Sequence, residues 1–171
     1  ALLTLRLQAR RRRARSDVTY RYWQIGLASA IFALAMVLTA TAWPPLAELT
    51  GWSIFAGILL LVGGFMSFII GMLYKIVPFL AWMHLRNRGS ARSPVPNMNR
   101  LLPEADAQRQ MQAHAVALAL LLAAVIAPEW LTRAAGAALA VASGWLLVNL
   151  LGAVRRYRQH LDKLDRESVA A

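Results

Sequence analysis

GWSIFAGILLLVGGFMSFIIGMLYKIVPFLAWMHL, residues 51–85, decides the fold. Lys75 is the only charged residue in it. A helix over this stretch would be roughly 50 Å long at 1.5 Å per residue, longer than a bilayer's hydrocarbon core of about 30 Å. It must therefore tilt, bend or emerge. Pro78 lacks an amide hydrogen and crowds the turn before it, which makes it the predicted kink.

Three further apolar runs flank this one. The first extends from Trp23 to Trp43, with an interfacial tryptophan at each end, and Pro44 and Pro45 stop it. The third covers about Ala113–Ala127 and stops at Pro128, and the fourth covers about Ala134–Val154. The first run is long enough to span, so it reads as a span rather than a cleavable signal. The expected fold is all-α: a polytopic transmembrane helical bundle with spans at about 23–43, 52–85, 113–127 and 134–154.

The charges between the runs are lopsided. Arg6, Arg10–Arg13, Arg15 and Arg21 precede the first span. Arg86, Arg88, Arg92, Arg100 and Arg109 lie between spans two and three, and Arg155, Arg156, Arg158, Lys163 and Arg166 follow the fourth. The two short connectors, 43–50 and 128–133, hold only Arg133, beside Glu48 and Glu129. Lys and Arg resist translocation, so the three basic segments are expected on the cytoplasmic side of a bacterial inner membrane.

Composition agrees. Hydrophobic residues are 58% and charged residues 16%, against roughly 45–50% and about 25% in soluble domains. A net charge of +11 would ordinarily raise nucleic acid as a partner. Here the charges flank apolar runs, where anionic lipid headgroups are the expected partner, and nucleic acid is not. Cysteine is absent, which excludes disulfides, thiolate metal sites and cysteine nucleophiles.

Residues 1–22 read as the end of an upstream helix (Ala1–Leu7) followed by a basic cytoplasmic loop, and 155–171 as a basic cytoplasmic tail. On that reading the four spans, 23–154, belong to a larger bundle with other membrane subunits. Between Arg86 and Gln110 the Gly-, Ser-, Asn- and Pro-rich sequence predicts a loop, with a helix restarting after Pro103, where Glu104 and Asp106 suit its positive end.

Small residues mark two helix faces. Gly57, Gly64 and Gly71, with Ser67 beside them, share a face of span two, and Gly136, Ala140 and Gly144 share one of span four. Such faces let helix backbones approach closely in lipid. They serve either bundle packing or the approach of a flat cofactor ring or quinone.

Few residues carry chemistry. His84 ends span two and His114 begins span three at the same side, so the two imidazoles would face one another as a bis-histidine haem or metal pair. The alternative is two interfacial histidines near headgroups. His160 belongs to the tail. Lys75 either snorkels to the interface beside Tyr74 or has a buried partner. Asn149 is a second polar group within a span, suited to an interhelical hydrogen bond. No phosphate-binding glycine loop, HExxH motif or nucleophilic serine turn occurs, and no acidic residue lies inside a span. No catalytic residue is assigned, and independent enzymatic activity is not expected of this chain.

One segment carries a resemblance. Lys75-Ile76-Val77-Pro78-Phe79-Leu80-Ala81-Trp82-Met83-His84-Leu85, preceded by Gly71-Met72-Leu73-Tyr74, resembles bacterial multi-pass proteins related to subunit I of cbb3-type cytochrome oxidases, in the haem-copper oxidase superfamily. The likeness covers spans two and three with their loop, less than half of the chain. It implies a larger helical bundle, protohaem binding and a place in respiratory electron transfer. The adjacent His-His pair for copper and the His-x-His for two haems, which active oxidases carry, are both missing here. The resemblance therefore implies a non-catalytic subunit or domain of an electron-transfer complex, with His84 at most a repurposed ligand. A small-molecule or ion transporter, its route passing Pro78 and Lys75, is the alternative.

Overall fold

Four long helices run up and down in chain order in the computed structural model, which describes residues 17–88 and 101–169. Helix α1 is Val18–Ala42, α2 is Trp52–Arg88, α3 is Glu104–Ile126 and α4 is Pro128–Val169. Each is long and apolar enough to cross a membrane. The basic segment 1–16 and the loop 89–100 lie outside the described residues.

Local chemistry sets the ends. Asp17 caps α1, its side chain accepting from the Thr19 amide at 3.4 Å. Pro44 and Pro45 cannot continue α1 and open a short 3₁₀ turn, Pro44–Leu46. Gly51 sits at φ +86°, a backbone conformation that L side chains rarely adopt, and a Cβ there would lie 2.6 Å from Val125. It turns the chain into α2. Ala127 alone separates α3 from Pro128, the first residue of α4.

The helices exceed the expected apolar spans, at the start of α3 and at both ends of α4. Helix α3 begins at Glu104, as expected after Pro103 and ahead of the apolar run from about Ala113, so His114 lies about 15 Å inside it. Helix α4 carries its basic continuation without interruption to Val169. Ser67–Arg88 is one α-helical stretch with Pro78 buried inside it, so the proline does not end the helix. The departure from α geometry is at Leu59–Met66, which is π-helical. Gly63 and Gly64 lie within that widened segment, where the chain meets Ser29 and Ala30 of α1.

Helix α1 packs along the π segment and second half of α2, and α3 packs along α4. Helix α2 bridges the two pairs, its first part against α3 and its second against α4. One apolar cluster, built on Val18, Tyr22, Ile70, Tyr74 and Met111, lies toward the basic end. A smaller one, Ala33, Met36 and Leu59 with Trp52 and Leu122, lies toward the other end.

The small-residue face of α2 packs as expected at Gly71, where a Cβ would lie 3.0 Å from Tyr22 Cβ, and at Gly64, near Ala30. The tightest approach is at Gly63, against Ser29, while Gly57 faces open space. The π segment rotates the register between Gly57 and Gly64, which separates them. Gly136 and Gly144 of α4 also face open space within the bundle.

The distribution of polarity is that of a membrane protein. Ser67, Gln110 and His114 are completely buried, whereas Leu61, Phe65, Ile69 and Val148 are each more than half exposed. Only 11% of the most apolar stretch of α4 is covered, against 33% in α2 and α3. Soluble monomers rarely leave apolar surface of that extent to water; lipid tails cover it without cost.

Candidate functional site

The interior polar cluster is built from all four helices. Tyr22 lies one turn into α1, Ser67 and Tyr74 two turns apart on α2, Gln110 and His114 one turn apart on α3, and Asn149 on α4. Gln110 is the hub. Its Oε1 accepts from the Tyr22 hydroxyl and, at 3.2 Å, from the Tyr74 hydroxyl, while its Nε2 donates to the Ala142 carbonyl of α4 at 3.1 Å. Asn149 Nδ2 donates to the Tyr74 oxygen at 3.0 Å and to the Asp106 carbonyl at 3.2 Å. No buried side-chain nitrogen or oxygen of Tyr22, Tyr74, Gln110 or Asn149 is left without a partner, as a low-dielectric interior requires.

His114 extends the cluster. Its Nε2 is 2.9 Å from Ser67 Oγ, and its ring lies 5.7 Å from that of Tyr22. Ser67 also reaches the Val62 carbonyl, in the π segment, at 3.4 Å. The serine has one proton to give. When it goes to Val62, His114 donates from Nε2 and Nδ1 is left as a bare acceptor; Nδ1 has no partner among the described residues.

Of the four residues singled out from the sequence, His114 and Asn149 join this cluster, whereas His84 and Lys75 do not. His84 is exposed and meets Tyr157 of α4 edge-on, with ring centroids 5.8 Å apart. Seventeen helical residues separate it from Ser67, His114's neighbour, or about 25 Å along α2. The expected facing pair of imidazoles does not form, because α3 packs with His114 level with Ser67 while His84 stays at the basic end beside Tyr157. Two axial ligands must flank one ring, so these histidines do not fit a shared haem. Among the described residues no group of three or more His, Asp or Glu could hold a metal ion.

Lys75 is exposed, whereas its neighbour Tyr74 is buried; successive helical positions point about 100° apart. Asn149 makes the interhelical hydrogen bonds expected of it. The sequence reading does not single out Tyr22 or Gln110. The available signal is the spacing of Gln110 and His114, which share a helix face once the helix begins at Glu104.

A second feature lies at the basic end. A pocket of about 390 Å³ is lined by Leu102, Asp106, Val148, Asn149, Arg155 and Arg156, with Pro103, Leu151 and Gly152. Asn149 thus belongs both to the pocket and to the interior cluster.

Compared with protein-family models, with curated proteins and with solved structures, the chain gives no match in any of the three.

Proposed function

We propose that this membrane-spanning chain is a non-catalytic subunit or domain of a respiratory-type electron-transfer complex in a bacterial inner membrane. The observation that carries the non-catalytic part is the closure of the polar interior. Tyr22, Tyr74, Gln110 and Asn149 are tied to one another by hydrogen bonds across four helices. Such a network holds a bundle in register where lipid supplies no drive for helix association. The electron-transfer part rests on the resemblance of Gly71–Leu85 described above. The orientation rests on charge: the ends of α2 and α4 with Arg86, Arg88, Arg155, Arg156 and Arg158 are cytoplasmic, and Glu48 and Glu129 face the other side. The other subunits meet the uncovered outer faces of the bundle.

A transporter needs Lys75 beside an internal route. Lys75 is exposed and does not line the pocket at the basic end, so that reading has no support in the geometry.

The test is purification of the full chain from its native membrane in mild detergent, with a subunit gel and a reduced-minus-oxidised spectrum. The proposal expects co-purifying redox subunits. A chain that runs alone and shows no haem bands in any fraction would remove the electron-transfer assignment.

A further inference from the structure

We propose that the pocket between the start of α3 and the end of the membrane-spanning part of α4 is a specific site for a phosphate ester, carried by a phospholipid headgroup. The inference requires only that the bundle spans a bilayer, and stands apart from the electron-transfer assignment.

The lining changes character along α4. Val148 and Leu151 are 65% and 49% exposed and continue the apolar flank of the helix. One turn later Arg155 and Arg156 begin the basic end. The pocket therefore straddles the boundary at which acyl chains give way to phosphates. Its volume of about 390 Å³ falls within the range of roughly 300–1,000 Å³ usual for small-ligand sites. A Cβ on Gly152 would meet nothing within 4 Å, so the missing side chain leaves room in the pocket wall.

The polar groups match a phosphodiester with a donor-bearing head. Arg156 Nη1 donates to the Leu101 carbonyl at 2.9 Å, which fixes the guanidinium and leaves its other N–H groups for a second acceptor. Arg155 is exposed beside it. Guanidinium groups grip phosphate oxygens with paired hydrogen bonds, which an ammonium does not. Asp106 lines the same space and, when ionised, can accept hydrogen bonds but not donate them. Two arginines against one aspartate leave the pocket net positive, and Asp106 suits a hydroxyl or ammonium donor of the headgroup. Phosphatidylglycerol supplies phosphate and donors together; phosphatidylcholine supplies the phosphate without a donor.

The experiment is native mass spectrometry of the full-length protein, delipidated in detergent and then titrated with phosphatidylglycerol or phosphatidylcholine. Wild type is expected to retain one phosphatidylglycerol at activation energies that strip the rest, and to hold phosphatidylcholine less well. Arg155→Ala/Arg156→Ala should lose that lipid by about tenfold or more in occupancy, since both phosphate grips are gone. Arg155→Ala alone, at an exposed position, should lower retention without disturbing the fold, which covers the case where the double variant misfolds. Arg158→Ala/Lys163→Ala, outside the pocket, should retain the lipid. Equal retention by the Arg155 variants, or an equal loss in Arg158→Ala/Lys163→Ala, would show general attraction to a basic surface and overturn the site. Millimolar inorganic phosphate should leave the lipid bound. Displacement by phosphate would assign the pocket to a soluble phosphate compound and overturn the lipid assignment.

Discussion

The Tyr22 hydroxyl of α1 donates to Gln110 Oε1 of α3, and both side chains are completely buried. This buried contact joins two helices that are not neighbours in the chain. Gln110 also receives Tyr74 and reaches the Ala142 carbonyl, so one amide links four helices.

Replacing Gln110 by Leu strands the Tyr22 hydroxyl, takes the acceptor from Tyr74, whose oxygen keeps only Asn149, and removes the Gln110 tie to α4. Unsatisfied buried groups cost about 1–3 kcal/mol each, and interhelical bonds in membranes sit at the low end. Gln110→Leu should therefore destabilise by roughly 2–3 kcal/mol, and Tyr22→Phe by about 1 kcal/mol. Thermal unfolding in detergent, followed by the loss of monodisperse protein on gel filtration, measures both. Equal midpoints for the two variants would contradict the hub role of Gln110.

Glycine substitutions should sort by where the helices touch. Gly71→Leu and Gly63→Leu drive a side chain into Tyr22 and Ser29 of α1, an overpacking that costs about 1–3 kcal/mol or more. Gly136→Leu and Gly144→Leu point into open space within this bundle, and each should leave the melting temperature of the isolated protein unchanged. A large loss at Gly144 would mean that another chain covers α4 in the purified particle.

The two histidines are predicted to behave oppositely. His84→Ala removes an edge-on contact with Tyr157 at an exposed position and should cost less than about 1 kcal/mol. His114→Ala empties a completely buried site and releases Ser67, a change of the order of 2–4 kcal/mol. If haem bands appear in the purified complex, neither substitution alone should abolish them, because the two rings do not share a site.

Sidedness is open to direct measurement. The chain has no native cysteine, so single cysteines at Asn87, Gln159, Thr50 and Thr132, all exposed, can be probed with an impermeant thiol reagent on intact cells. Thr50→Cys and Thr132→Cys should label from outside, and Asn87→Cys and Gln159→Cys only after lysis. Labelling of Asn87→Cys on intact cells with Thr50→Cys silent would invert the orientation.

The number of spanning helices, and which connectors share an end of the bundle, are legible from the amino acids without any tertiary contact. Apolar length and the placement of Pro44, Pro45 and Pro128 are local signals, readable without knowing any neighbour. The sequence also marks Asn149 as an interhelical donor, because an amide within a span must find a partner. Tertiary structure alone decided which polar groups meet. Lys75 and Tyr74 are adjacent in sequence, yet one faces outward and the other faces Gln110, a difference set by how α2 rolls against α1. The π segment at Leu59–Met66 contributes to that roll, and nothing in LLLVGGFM beyond its glycines announces it. Likewise His84 and His114 look paired when helix ends are taken from hydropathy. Pro103, Glu104 and Asp106 mark the start of α3 in the sequence, about 14 Å before its apolar run, but only the packing of α3 sets His114 level with Ser67 and away from His84. Hydropathy reports where lipid begins, whereas packing and capping set where a helix begins.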